Sequence, residues 1–156
     1  MRWFSASTLI SVSLCLLFGG CGTTTGTVRL YVVRVIRVPG AGSVLADGAG
    51  YPLYIYENDQ QGPSKCTLAC AAEWPPLVLP PGVRHPVAGS GVDAALLGTA
   101  RRVNHSLQVT YNRWPLYTYR DDAPAQPTGQ GAAMGAWYLI SPNGTVDHQP
   151  VTSPGG

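Results

Sequence analysis

Cys66 and Cys70, four residues apart, come nearest in type and spacing to a reactive pair. In an exported domain such a pair most often closes a disulfide, and here the closed loop would contribute only about 2 kcal/mol of chain entropy. The alternative is a redox or metal-handling pair. The spacing is not the CxxC of thioredoxin-like motifs, and no histidine stands at ligand spacing. His85, His105 and His148 are scattered without an HExxH pattern, and no GxSxG elbow occurs. The glycines at 48, 50, 129 and 131 are turn residues rather than a phosphate loop. The reading is therefore no catalytic residue, no metal ligand and no cofactor, and an enzyme is not expected.

The second set of residues is aromatic and occurs twice. Tyr51-Pro52-Leu53-Tyr54-Ile55-Tyr56-Glu57-Asn58-Asp59 recurs as Trp114-Pro115-Leu116-Tyr117-Thr118-Tyr119-Arg120-Asp121-Asp122, an offset of 63 residues (51 to 114). Trp74 and Trp137 keep the same offset. In an extended strand Tyr54 and Tyr56 share one face and Leu53 and Ile55 the other, with Tyr117 and Tyr119 repeating the pattern. Two uses fit the tyrosines: a half-buried shelf over the core, or an exposed platform for a glycan or aromatic ligand. Asp59 and Asp122 are placed to accept turn amide hydrogens, with cation ligation as the alternative. The candidate binding surface is thus Tyr54, Tyr56, Asp59, Tyr117, Tyr119 and Asp122, with Trp74, Trp114 and Trp137.

The elements that must position these residues read mainly as strands. Residues 28–38 are dominated by β-branched side chains, and Arg29, Arg34 and Arg37 break strict alternation, which predicts a bulge or a change of face. Hairpins are predicted from 43–46 to 53–57 across the Asp47–Gly50 turn, from 107–111 to 116–120, and from 137–141 to 145–146. Residues 65–74, rich in Ala and free of Gly and Pro, predict a short helix carrying Cys66 and Cys70 on one face. A single helical turn is predicted at 92–97, within the Gly/Pro-rich connector 80–98. The fold class is mostly β: two pseudo-symmetric antiparallel β repeats of about 40 residues, packed as one domain, with one or two short helices. Repeat 1 spans about 43–82 and repeat 2 about 105–144, inside a domain at 28–149 with a mobile tail at 150–156. One copy alone would bury too little surface to stand.

Composition and the N-terminus supply the address. Over 156 residues the net charge is +2, from 10 Lys+Arg against 8 Asp+Glu, and the longest basic run is Arg101-Arg102. That excludes a nucleic-acid partner, which needs clustered cations. Arg2 precedes an apolar stretch at 9–18, too short to span a bilayer and typical of a secretory signal at 1–20. Gly19-Gly20-Cys21 then resembles a lipobox, with Phe18 where Leu is usual, and residues 21–27 form a tether. Cys21 is expected to carry lipid and hold the chain on a membrane; cleavage as an ordinary signal is the alternative.

At these residues the chain resembles a family of bacterial secreted lipoproteins with the repeat Tyr-x-(Phe/Trp/Tyr)-x-x-Asp. Tyr54 to Asp59 and Tyr117 to Asp122 both satisfy it. Cys66 and Cys70 before Trp74-Pro75-Pro76-Leu77, then Gly91-Val92-Asp93, Leu96-Leu97-Gly98 and Gly129-Gln130-Gly131 before Trp137-Tyr138, extend the resemblance over about 32–144. The resemblance implies an exported, usually lipid-anchored, two-repeat protein whose second copy lacks the cysteine pair. It implies no activity for any residue. The expectation is an envelope protein, outside the cytoplasmic membrane or in the periplasm. It acts as a non-enzymatic binding or structural module toward a cell-wall glycan or envelope protein.

Overall fold

A computed structural model describes residues 32–152. The leader, Cys21, the tether, the start of the 28–38 strand and residues 153–156 lie outside them.

β1 (Val32–Val38) pairs antiparallel with β2 (Gly42–Ala46) in one unbroken register, from Arg34↔Ala46 to Val38↔Gly42. The bulge expected in this strand is therefore absent over the paired residues. Arg34 and Arg37 are both exposed although they leave opposite faces, and Arg34 reaches back to the Asp47 carbonyl at 3.3 Å. Long cationic stems can leave either face of an outer ribbon without breaking its pairing. The second copy repeats the hairpin as β5 (Leu97–Arg101) and β6 (Leu107–Tyr111), followed by β7 (Trp114–Pro115). Each copy thus begins one strand earlier than the nonapeptides indicate. The connector adds β4 (Val87–Ala88) to the free edge of β1 in parallel, beside the antiparallel pairings of the other strands.

Pro52 bridges Ala46 and Pro115 pairs with Thr110. The residue after each proline resumes donation, Leu53 N–H to Leu45 O and Leu116 N–H to Val109 O, both at 2.9 Å. Beyond that point the predicted first and second hairpins end and the copies exchange strands. β3 (Tyr54–Tyr56) turns away from β2 and pairs with β8 (Trp137–Ile140) of the other copy. Reciprocally, Tyr117 bridges Pro76 of the first copy. On the pseudo-twofold axis Tyr54 N–H donates to Tyr117 O at 2.8 Å and Tyr117 N–H to Tyr54 O at 3.0 Å. The last hairpin forms as predicted, β8 returning as β9 (Val146–Asp147).

α1 (Ala69–Glu73) and α2 (Ala132–Gly135) stand at equivalent places before the two tryptophans. The helix predicted over 65–74 starts only at Ala69, because Leu68 takes φ 50 and Cys66 precedes it in irregular chain. The predicted turn in the connector is a 3-10 turn at Ala94–Leu96, capped by Asp93 Oδ1 on the Ala95 N–H at 2.9 Å. The described part of the tail is tied down: Val151 packs on the core and Thr152 N–H meets Gly40 O at 3.3 Å.

The face alternation of β3 decides the core. Leu53 and Ile55 enter an aliphatic cluster with Val33, Leu45, Val109, Leu116 and Ile140. Tyr54 and Tyr56 enter an aromatic cluster with Trp74, Tyr117, Trp137 and Cys66. Both faces of the central strand pairing are buried, so the predicted alternation is correct while its solvent face does not exist. The architecture is mostly β, two repeats closed into one domain.

Candidate functional site

The spacing Tyr-x-Tyr-x-x-Asp acts across the axis rather than within a copy. Tyr54 Oη donates to Asp122 Oδ2 at 2.7 Å, and Tyr117 Oη donates to Asp59 Oδ2 at 2.6 Å. The second oxygen of each carboxylate accepts a backbone N–H of its own copy six residues on, Lys65 for Asp59 and Thr128 for Asp122, both at 2.7 Å. Each aspartate therefore closes the loop that follows it and holds the opposite copy's tyrosine. All four side chains are buried. Burial is the largest influence on each: it lifts both carboxylates above the usual range and, with the adjacent carboxylates, holds both phenols far above theirs.

Around these pairs the rings form a continuous stack. Trp74 and Trp137 lie face to face, with centroids 4.0 Å apart and planes 3° from parallel. Tyr119 stacks on the outer side of Trp74 at 4.3 Å, and Tyr56 on the outer side of Trp137 at 4.5 Å. Tyr54 and Tyr117 meet Trp74 and Trp137 edge-on at 5.3 and 5.1 Å. Gly129 makes room for this, since a Cβ there would lie 2.5 Å from the Trp74 ring. Gly129 is the second-copy counterpart of Cys66 (66 to 129), so only one copy has space for a cysteine pair.

Cys66 and Cys70 form the expected disulfide, with Cα atoms 5.2 Å apart. Cys66 is buried, and its carbonyl accepts from Arg102 Nη2 at 2.7 Å. Arg102 also donates to Gln108 Oε1 at 2.6 Å and Ser64 Oγ at 2.7 Å, and Ser64 Oγ lies 2.7 Å from Tyr117 Oη. In the sequence this buried guanidinium stands out only as half of Arg101-Arg102. Its signal was slight: an arginine at the end of a strand, six residues before a glutamine in the next strand.

Six of the nine residues of the candidate surface are thus core rather than surface. Tyr54, Tyr117, Trp74, Trp137, Asp59 and Asp122 are buried, because the copies pack these faces against each other. Tyr56 and Tyr119 are half-buried, each with one face on a tryptophan, and Trp114 is half-buried against the aliphatic cluster instead. Among the described residues no group of three His, Cys, Asp or Glu is placed to hold a metal ion. A concave surface does open elsewhere. A cleft of about 550 Å³ lies between the 78–84 segment and the tip of the β5–β6 hairpin. Arg84, Arg101, Asn104, His105 and Ser106 supply its polar wall, and Pro80 and Pro81 part of its apolar one. No carboxylate stands among its lining residues, and Arg101 Nη1 is steadied on the His105 carbonyl at 3.2 Å.

A duplicated β unit closed by reciprocal Tyr–Asp pairs and a shared tryptophan stack defines a two-repeat domain in which neither copy is complete alone. The chain belongs to the family described as a secreted repeat of unknown function, which it matches twice, at residues 36–78 and 98–141. Neither a curated protein nor a solved structure matches it.

Proposed function

We propose that this protein is a lipid-tethered envelope module, not an enzyme, that binds an anionic polymer of the cell envelope in the cleft beside the β5–β6 hairpin. The membership in a secreted family agrees with a location outside the cytoplasm, and the Gly19-Gly20-Cys21 sequence supports the tether. One observation carries the reading. Arg84, Arg101, His105, Asn104 and Ser106 line a cleft of ligand size with no carboxylate among its lining residues. Tyr54, Tyr117, Trp74 and Trp137 are engaged with one another in the core, so this reading places the contact at the cleft rather than on them.

The test uses the exported chain carrying Cys21→Ser, which cannot be acylated, mixed with isolated envelopes. Arg84→Ala with Arg101→Ala is expected to lower retention at least fivefold, and raising salt should lower wild-type retention in the same way. Equal retention by the double variant and wild type would sink the cleft as the site. Mass spectrometry of the unaltered chain reads an acyl mass on Cys21; its absence would sink the tether.

A further inference from the structure

We propose that the ring stack and its two Tyr–Asp pairs form a relay for one-electron oxidising equivalents, which moves a hole from the buried tryptophans onto a tyrosine. Four rings follow one another as Tyr119, Trp74, Trp137 and Tyr56, with no centroid step longer than 4.5 Å. At such contact the π systems overlap, and a hole on one ring is shared with or passed to the next without a long tunnelling jump. Both ends of the stack are half-buried tyrosines, so an oxidant in solvent can reach it.

The second requirement is a place for a proton. Oxidation makes a phenol a strong acid, so a tyrosine holds a hole well only where its proton can leave at once to a base already in hydrogen-bond contact. Tyr54 has Asp122 Oδ2 at 2.7 Å and Tyr117 has Asp59 Oδ2 at 2.6 Å, each phenol also meeting the tryptophan stack edge-on. Each base is fixed by a backbone N–H on its other oxygen. Burial raises the proton affinity of both carboxylates, which favours the transfer.

The step balances as follows. A one-electron oxidant, a free radical of the kind formed during oxidative stress, takes one electron from the indole of Trp74 or Trp137 and becomes its anion. The indole radical cation then takes one electron from Tyr54 or Tyr117, and the phenolic proton passes to Asp122 or Asp59. The products are a neutral phenoxyl radical, a protonated carboxyl and an intact indole. The disulfide takes no part.

Azide radical generated by pulse radiolysis is the probe, because it removes one electron from indoles. The protein is the exported chain with Trp114→Phe, which leaves Trp74 and Trp137 as the indoles of the domain. The indolyl absorption is expected to decay with first-order, concentration-independent kinetics as the tyrosyl absorption rises, and to slow in heavy water. Tyr54→Phe with Tyr117→Phe should slow the transfer at least tenfold. Asp59→Asn with Asp122→Asn, which keeps all six rings, should also slow it and remove the solvent isotope effect. Near-ultraviolet circular dichroism of the paired tryptophans checks that each variant retains the stack. Transfer that is unchanged in both double variants, or that scales with protein concentration, overturns the relay.

Discussion

At the scale of single residues, the reciprocal pairs make the clearest demands. Tyr54→Phe keeps the ring against Trp74 but deprives a buried carboxylate of its phenol donor. The cost should be about 1–3 kcal/mol in urea unfolding. Asp122→Asn should be partly redundant with it, so a double-mutant cycle should return a coupling of at least about 0.5 kcal/mol. No coupling would mean that the contact does not form in solution. The phenols also set a pH dependence. Tyr54 and Tyr117 have folded pKa values above the ordinary 10.0, so their contribution to stability is complete below pH 10.0 and is lost as the pH rises past it. Above that pH, unfolding free energy should fall by up to about 1.4 kcal/mol per pH unit for each of the two. Replacing both with Phe should flatten the slope. The buried aspartates slope the same way in acid: their raised values mean that stability rises as pH falls through them and levels off below 3.8. The six-residue motif made these residues visible in the sequence. That tyrosine and aspartate pair across copies was not legible, because nothing local in Tyr54-Ile55-Tyr56 says which aspartate it will meet.

At the scale of elements, local chemistry predicts well where a turn or strand is self-contained and poorly where the partner is distant. The Trp137–Val146 hairpin follows from its own Pro-Asn-Gly turn. β3 does not, since it leaves its neighbour β2 for β8, more than eighty residues away in the chain. The 65–74 helix fails at its start because Leu68 adopts a positive φ of 50 that no composition rule foresees. The β6–β7 turn offers a direct test. Asn112 and Arg113 have φ 45 and 68, a pair for which Asn-Gly is the preferred sequence. Arg113 is exposed, so Arg113→Gly should relieve strain and raise stability by about 0.5–1 kcal/mol. A loss of stability would show that the arginine side chain matters more than its backbone. In the opposite direction, Gly129→Ala places a methyl against Trp74 and should cost about 1–3 kcal/mol, with a change in the near-ultraviolet tryptophan signal.

At the scale of the whole molecule, duplication and exchange together fix how the chain must fold. A repeat that closed on itself would be a domain in miniature, and a gene for one copy would suffice. Here Tyr54 lies against Leu139 and Tyr117 against Pro76, so the strand that follows each tryptophan belongs to the other copy's tyrosine strand. The indoles at 4.0 Å and both Tyr–Asp pairs also cross the axis. A fragment ending at Gly82 would therefore expose one indole face, an unpaired edge of β3 and a buried-type aspartate without its phenol. Too little apolar surface remains within one copy to offset that. Fragments cut at the exposed Gly82 should each give collapsed amide spectra typical of unfolded chains. Mixed in equal amounts they should recover the dispersed spectrum of the intact domain, with a midpoint of unfolding that rises with concentration. Dispersed, concentration-independent spectra from either fragment alone would show that a copy completes itself, and the exchanged strands would then not be what holds the domain together.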